Sequence, residues 1–390
     1  MLNVFAVRIG VGQHSLENII RQNPLLNTIA TNPNYEVQII YTTISKDNTW
    51  STEEFQVNDS VYFYPASTVK LPVAILALQK LNELKEQGIS VDDEDEMITL
   101  ASQPPQQETY RDSTSVNSVP TIKRYIEKIF LISDNDAYNR LYEFVTPDKI
   151  NRDLIRNGTF STSVINHRVG APGFDFESNR ITNPIVLRRN GKDIYIQDAM
   201  ISETIWKHKA INAKKGKGFI DGNGTLISES FDFSTKNFYS LRDLEKTLQK
   251  IIFPYRFKKD QRFNLHQQDY EFLKKAMSTL PHQDEYYRKD TTLYDGYVKF
   301  LLMGDHKHQM PEGLKIYNKV GNAYGYLIDC AFFEHQEKNI RFFLSAVIHT
   351  NANGIYNDGI YEYDVTGMPF LGELGRAVYL FELGKSGCTD

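Results

Sequence analysis

Cysteine is scarce in this sequence: 390 residues carry two, Cys330 and Cys388. So few thiols exclude a disulfide framework as the organising principle. Cys330 lies in the apolar run from Ile328 to Phe333 and is expected to be a small core residue, whereas Cys388 belongs to a terminal tail. No run of about 18 apolar residues occurs, so no membrane-spanning helix is expected. Basic charge is not in excess either: the formal net charge is −5, which offers nucleic acid no basic face. The local runs Lys214, Lys215, Lys217 and Asp92 to Glu96 read as solvated loops. No glycine-rich turn is followed by Lys-Ser or Lys-Thr, which excludes a phosphate-binding loop of that kind. His306 and His308 stand beside Asp305 but among loop residues, so neither a metal site nor a cofactor is expected. Met1 to Gly12 is mildly apolar, contains Arg8 and lacks a cleavage signature; it is not read as a signal peptide. There is no internal repeat and no low-complexity linker.

What is present suits a globular chain with a large core: 41% hydrophobic and 24% charged residues. With 23 Tyr and 23 Phe, aromatic rings are expected both in the core and along clefts. Ser15 followed by Leu16, Ile19 and Ile20 predicts a short amphipathic helix that is interrupted near Pro24. Tyr35 to Thr43 and Ser60 to Tyr64 read as strands. Ser67 to Glu86 reads as a buried helix, because Val69, Val73, Leu76, Leu78 and Leu81 recur at helical spacing. Thr121 to Phe144 is helical with a break at Ser133-Asp134-Asn135, and Pro147 opens a further short helix. Gly170 to Arg189 is irregular, and residues 190–240 are turn-rich. Helices follow at Leu241 to Ile252 and Gln267 to Met277. Three strands come next, at Lys315 to Val320, Tyr324 to Phe333 and Ile340 to His349, with turns at Gly321-Asn322 and Gln336 to Asn339. A helix from Pro369 to Leu383 closes the chain.

Strands therefore lie at both ends and helices in the middle. That order predicts an α+β fold: an antiparallel sheet flanked by helices, with an inserted all-helical domain. Residues 1–66 and 300–390 are expected to form the sheet domain from both termini. Residues 67–299 are expected to form the mainly helical domain, interrupted by an insertion at about 186–237.

Three short patterns carry chemistry. In Ser67-Thr68-Val69-Lys70 the serine and lysine share one helix face, so the amine can reach the hydroxyl. A buried neutral amine can take the proton of a serine that is otherwise a poor nucleophile. Free N–H groups at the helix start can hold a developing oxyanion. Such a pair arises about once by chance in a chain of this length. The triplet Ser133-Asp134-Asn135 would arise in roughly one such chain in ten, and by itself also suits a helix cap. Lys319-Val320-Gly321 ends a predicted strand: lysine offers a fixed positive charge for a carboxylate, and glycine allows close backbone approach.

In this order and these contexts, the three patterns resemble those of the class A β-lactamase-like serine hydrolases, whose signature is Ser-x-x-Lys, Ser-Asp-Asn and Lys-Thr-Gly. Phe63-Tyr64-Pro65-Ala66 before the serine and Tyr324 to Ala331 after the third pattern agree with it, over roughly Tyr35 to Leu383. The resemblance implies a five-stranded antiparallel sheet with the site between sheet and helical domain. It implies that Ser67 forms an acyl-enzyme with Lys70 as base, that Ser133 relays a proton, and that Asn135 holds the substrate amide. Lys319 and Gly321 would line the carboxylate end, and the backbone N–H groups of Ser67 and Asn322 would form the oxyanion hole. Two positions depart from the pattern. Val320 replaces a hydroxyl residue, removing a hydrogen bond to a substrate carboxylate worth about 1.5–3 kcal/mol. The carboxylate that activates a deacylating water has no clean counterpart between Arg168 and Pro184; Glu177 is the candidate, and an ion pair with Arg180 is its alternative role. The implied activity is β-lactam hydrolysis, with D-alanyl peptide hydrolysis as the alternative. A non-catalytic protein binding cell-wall fragments is the reading from another class. The implied partner is a small β-lactam or peptidoglycan peptide, the implied location periplasmic or secreted, and the expected state a monomer.

Overall fold

A computed structural model describes residues 15–305 and 310–386. Cys388, Met1 to Gly12, His306 and His308 lie outside the described residues. The central sheet has five antiparallel strands: β1 (Gln38–Ile44), β2 (Trp50–Phe55), β3 (Leu314–Ala323), β4 (Tyr326–His335) and β5 (Ile340–His349), in the order β3-β4-β5-β1-β2. Strands from both ends of the chain meet where Ile40 pairs with Ser345.

Alternation along the strands divides the core into two layers. Ile39, Ile316, Val320, Leu327 and Leu344 face an outer layer of helices α1 (Ser15–Gln22), α2 (Pro24–Ala30) and a C-terminal helix, Met368–Ser386. Ile40, Tyr317, Ile328, Cys330 and Phe343 face the opposite layer. That layer is built on α3 (Lys70–Glu86), α4 (Ile122–Leu131), α5 (Asn135–Val145), α6 (Pro147–Arg156), α7 (Leu241–Ile252) and α8 (Gln267–Ser278). Helix α3 runs through the middle of this core, with 13 of its residues buried.

The helical region also carries a three-stranded sheet, in which the hairpin Ile185–Arg189/Lys192–Gln197 pairs with Glu96–Thr99. Thus only the end of the segment read as irregular, Ile185–Arg189, and the start of the turn-rich one form a hairpin, with a register shift between Leu187 and Arg188, while most of residues 170–184 is irregular as expected. Residues 198–237 contribute strands of only two or three residues; one of their sheets joins Gly218–Ile220 to Ile355–Tyr356.

Three local expectations need correction. The second strand is Trp50–Phe55 rather than Ser60 to Tyr64, where only Val61 makes a single bridge, to Ile211. Trp50–Phe55 is an edge strand; Ser51, Thr52, Glu53 and Glu54 need no buried face there, so the apolar alternation that marks inner strands is missing. The long helix begins at Lys70, because Ala66–Val69 forms a tighter 3₁₀ turn. Finally, β3 runs straight through Gly321 and Asn322, and the hairpin turns at Tyr324-Gly325, with φ of 54° and 79°. Two positive φ values suit the twist of a two-residue hairpin.

Candidate active site

Between Tyr62 and Gln79 every residue is buried except Ser67, which is partly exposed. The turn that presents it is strained at its entrance. Ala66 has φ 48°, a conformation rare for a residue with a Cβ. Its neighbours hold it there. Thr68 Oγ1 donates to Pro65 O at 2.7 Å, and β3 presses on the turn at Gly321. A Cβ at Gly321 would lie 2.7 Å from Pro65 O, 3.1 Å from Ala66 Cβ and 3.2 Å from Ser67 N. This contact, rather than a chain reversal, is why position 321 is glycine. Asn322, the next residue, is exposed on β3, one of the sheet's two edge strands.

Lys70 is fully buried in the first turn of α3. Its amine donates to Asn135 Oδ1 at 2.7 Å, to Ser133 Oγ at 3.4 Å and to the Ser133 carbonyl. Burial pushes its pKa down to about 7, against the opposing pull of the Asp134 carboxylate. Lys319 approaches from β3 and donates to Ser133 Oγ at 2.8 Å and to Val320 O at 2.9 Å. Its pKa too lies well below the ordinary lysine value, through burial first and the neighbouring Lys70 charge second. Two amines thus converge on one hydroxyl. Among the described residues no hydrogen bond joins Ser67 Oγ to Lys70; in free enzymes such contacts often close only around substrate.

The loop between α4 and α5 supplies Ser133, and Asn135 is the first residue of α5. Ser133 has φ 57°, and Asp134 caps α5 by accepting from Ala137 N at 2.7 Å. The cap and the chemical group are therefore adjacent residues, and the triplet serves both roles. Gly170 closes over Asn135: a Cβ there would lie 2.3 Å from Asn135 Nδ2, and its φ of 59° also favours glycine. Asn139 on α5 grips the same loop, donating to Val169 O at 3.1 Å and accepting from Val169 N at 2.9 Å.

The structure thus brings Ser67, Lys70, Ser133, Asn135, Lys319 and Gly321 to one place. It does not bring Glu177 there. That carboxylate is 67% exposed and paired with Arg180 at 2.6 Å, and its described partners lie outside the cluster. Val320 is 3% exposed and belongs to the outer apolar layer, on the face of β3 opposite Lys319. Its missing hydroxyl is therefore a packing feature of the sheet and not a gap beside the lysines. Sequence reasoning missed Ala66 and Gly170. Ala66 carries no signal of its strained backbone. Gly170 shows only a glycine in a loop, and its partner lies 35 positions earlier.

A sequence model of the Beta-lactamase enzyme family matches residues 22–381. Among solved structures, PBP-A is similar at 16% identity with a TM-score of 0.52, covering 94% of this chain and 96% of that one. The β-lactamase from Streptomyces albus G is similar at 10% identity and TM-score 0.52, covering 93% and 99%. The class A β-lactamase from Mycobacterium abscessus is similar at 11% identity and TM-score 0.51, covering 93% and 98%. No curated protein matches the sequence. At these identities the structural likeness speaks for the fold, which is that of the β-lactamases and their transpeptidase relatives.

Proposed function

The chain belongs to the β-lactamase enzyme family, and from that premise we propose that it is a serine hydrolase working through an acyl-enzyme, of the β-lactamase or penicillin-binding type. The observation that carries this reading is the placement of Ser133 Oγ between the amines of Lys70 and Lys319. Ser67 Oγ attacks the substrate carbonyl while neutral Lys70 accepts its proton. Ser133 then passes a proton to the leaving nitrogen as the amide bond breaks, which leaves an ester on Ser67. The N–H groups of Ser67 and Asn322 receive the oxyanion, Asn135 the substrate amide and Lys319 the carboxylate. Water finally releases the acid and restores the hydroxyl.

The finer choice concerns that last step. β-Lactam hydrolysis needs a base for the water, and Glu177 is engaged with Arg180 at an exposed position. This favours slow deacylation, hence a D-alanyl peptidase or penicillin-binding protein ahead of a fast lactamase. A neighbouring solved structure is the acyl-enzyme complex of a PBP-A mutant with penicillin-G. Peptidoglycan and the drugs that mimic it lie outside the cytoplasm, so export belongs to the proposal, as does a monomeric state. A protein that only binds cell-wall fragments has no use for a nucleophile backed by two depressed amines.

The test is intact mass after mixing with benzylpenicillin. An adduct of one penicillin is expected on the wild type and none on Ser67→Ala; labelling that survives the substitution sinks the assignment. Glu177→Gln should leave the adduct's lifetime unchanged. A lifetime lengthened by about tenfold or more would instead make Glu177 the deacylation base and the protein a lactamase.

A further inference from the structure

Beside the cluster lies a cleft of about 380 Å³, lined among others by Tyr64, His167, Gly170, Phe176, Lys236 and Tyr324. It adjoins the nucleophile's surroundings on two sides. Gly170 packs on Asn135. Tyr64, three residues before Ser67, meets Tyr324 edge-on at 4.9 Å between ring centroids. The cleft's charges are unevenly satisfied. Arg168 is neutralised by Glu143 at 2.7 Å. Asp175 is turned into its own loop, accepting from Ser178 N at 2.8 Å and from Ser178 Oγ at 2.6 Å. Lys207 is not one of the lining residues; it sits over the Phe176 ring at 4.9 Å. Lys236 is different: among the described residues its half-buried amine has neither a carboxylate nor a hydrogen-bond partner. His167, 7% exposed, turns Nδ1 to the Arg168 carbonyl, and its buried Nε2 has no partner among the described residues. With Nδ1–H donating, that nitrogen is an acceptor.

Both the fold and the sequence account for this lysine's position. Lys236 ends the long insertion, and Asn237 beside it is tied to the cleft wall, accepting from Asn166 N at 2.8 Å and His167 N at 3.1 Å. Phe233, from the same segment, packs edge-on against Tyr324 at 5.4 Å and lies 6.0 Å from the Tyr64 ring. The insertion is therefore fixed against the cleft.

We infer that the insertion makes this cleft a specificity subsite, in which Lys236 recognises a carboxylate on the acyl part of the substrate beside Ser67. The inference rests on the proposed acyl-transfer reading, and it names a substrate class: acyl donors with an extra negative group on the acyl side. An unpaired, partly desolvated amine gains a charge-assisted hydrogen bond from such a group. Burial already pulls the Lys236 amine below its ordinary pKa, and a bound carboxylate would offset that penalty.

The experiment uses the whole chain carrying Ser67→Ala, so that binding is read without chemistry. Benzylpenicillin and its α-carboxy derivative are compared by calorimetric titration. The α-carboxy compound is expected to bind about tenfold more tightly. That ratio should fall to about one in Lys236→Met, survive in Lys236→Arg, and shrink in the parent as KCl is raised. The salt series needs no second substitution, so it holds even if Lys236→Met unfolds. A parental ratio near one, a ratio untouched by Lys236→Met or by salt, or no measurable binding of the α-carboxy compound overturns the subsite. Wild-type protein that forms no benzylpenicillin adduct overturns the acyl-transfer reading instead, so the two failures are distinguishable.

Discussion

Lys70→Met is expected to slow acylation by benzylpenicillin by about 10²–10⁴-fold, the usual worth of a positioned general base. Methionine fills the buried volume of the lysine stem without an amine. The substitution removes an amine that burial disfavours, but it also leaves the Ser133 carbonyl and Asn135 Oδ1 without their donor. These effects oppose each other, so the melting temperature should move little while the rate collapses. The wild-type rate carries a second signature. Lys70 serves as base only when neutral, and its pKa lies at about 7. Acylation should therefore rise with pH through about 7 and level off above it, and the residual rate of Lys70→Met should not follow that curve. The buried Lys319 sits beside Lys70, so the apparent midpoint belongs to the pair. Stability should show the same proton. The folded pKa lies below the unfolded value of 10.5, so the unfolded chain binds more protons between about pH 7 and 10.5. This group therefore makes stability rise with pH across that interval, and Lys70→Met removes that contribution. Intact-mass kinetics and thermal melts on either side of neutrality would settle it; a flat wild-type rate profile would refute the role.

Much of this arrangement is legible in the sequence, for identifiable reasons. The buried helix after Ser67 and the three-strand meander after Lys315 announce themselves through apolar periodicity, and both are found. The patterns at Ser67, Ser133 and Lys319 lie 66 and 186 residues apart, yet in the structure they converge on one hydroxyl. What the sequence conceals depends on contacts between distant segments. β2 is polar because it is an edge strand. Gly321 next to Asn322 looks like a turn, but the glycine answers to Pro65 and Ala66 across the cleft. Val320 looks like a lost active-site group, although strand alternation directs it into the outer layer. Lys236 looks like one more surface lysine, since its isolation from every described carboxylate is a property of the folded cleft.

The loop over Asn135 supplies the other large effect. Arg168 Nε and Nη2 donate to Glu143 Oε1 at 2.9 and 2.7 Å, and Nη2 also donates to Ile181 O at 2.8 Å. Asn183 Nδ2 donates to the second Glu143 oxygen at 2.9 Å. The paired side chains are 2% and 3% exposed. Glu143 lies on α5, whose first residue is Asn135, so this pair fastens the loop bearing Gly170 to the helix that carries Asn135. Removing one partner of such a pair strands the other charge in the core, a loss of roughly 3–5 kcal/mol. Arg168→Met should accordingly lower the melting temperature by on the order of 4–6 °C, the small shift per kcal/mol expected of a chain this long, and acylation should fall with it as the loop loosens around Asn135. The double variant Arg168→Met/Glu143→Leu separates the causes, because it leaves no orphaned charge. If the orphaned charge dominates, the double variant melts above Arg168→Met alone while its acylation stays low, the loop having lost its tie in both. A double variant that melts at the sum of the two single losses would show that the two residues act independently, and that Gly170 is held over Asn135 by other contacts.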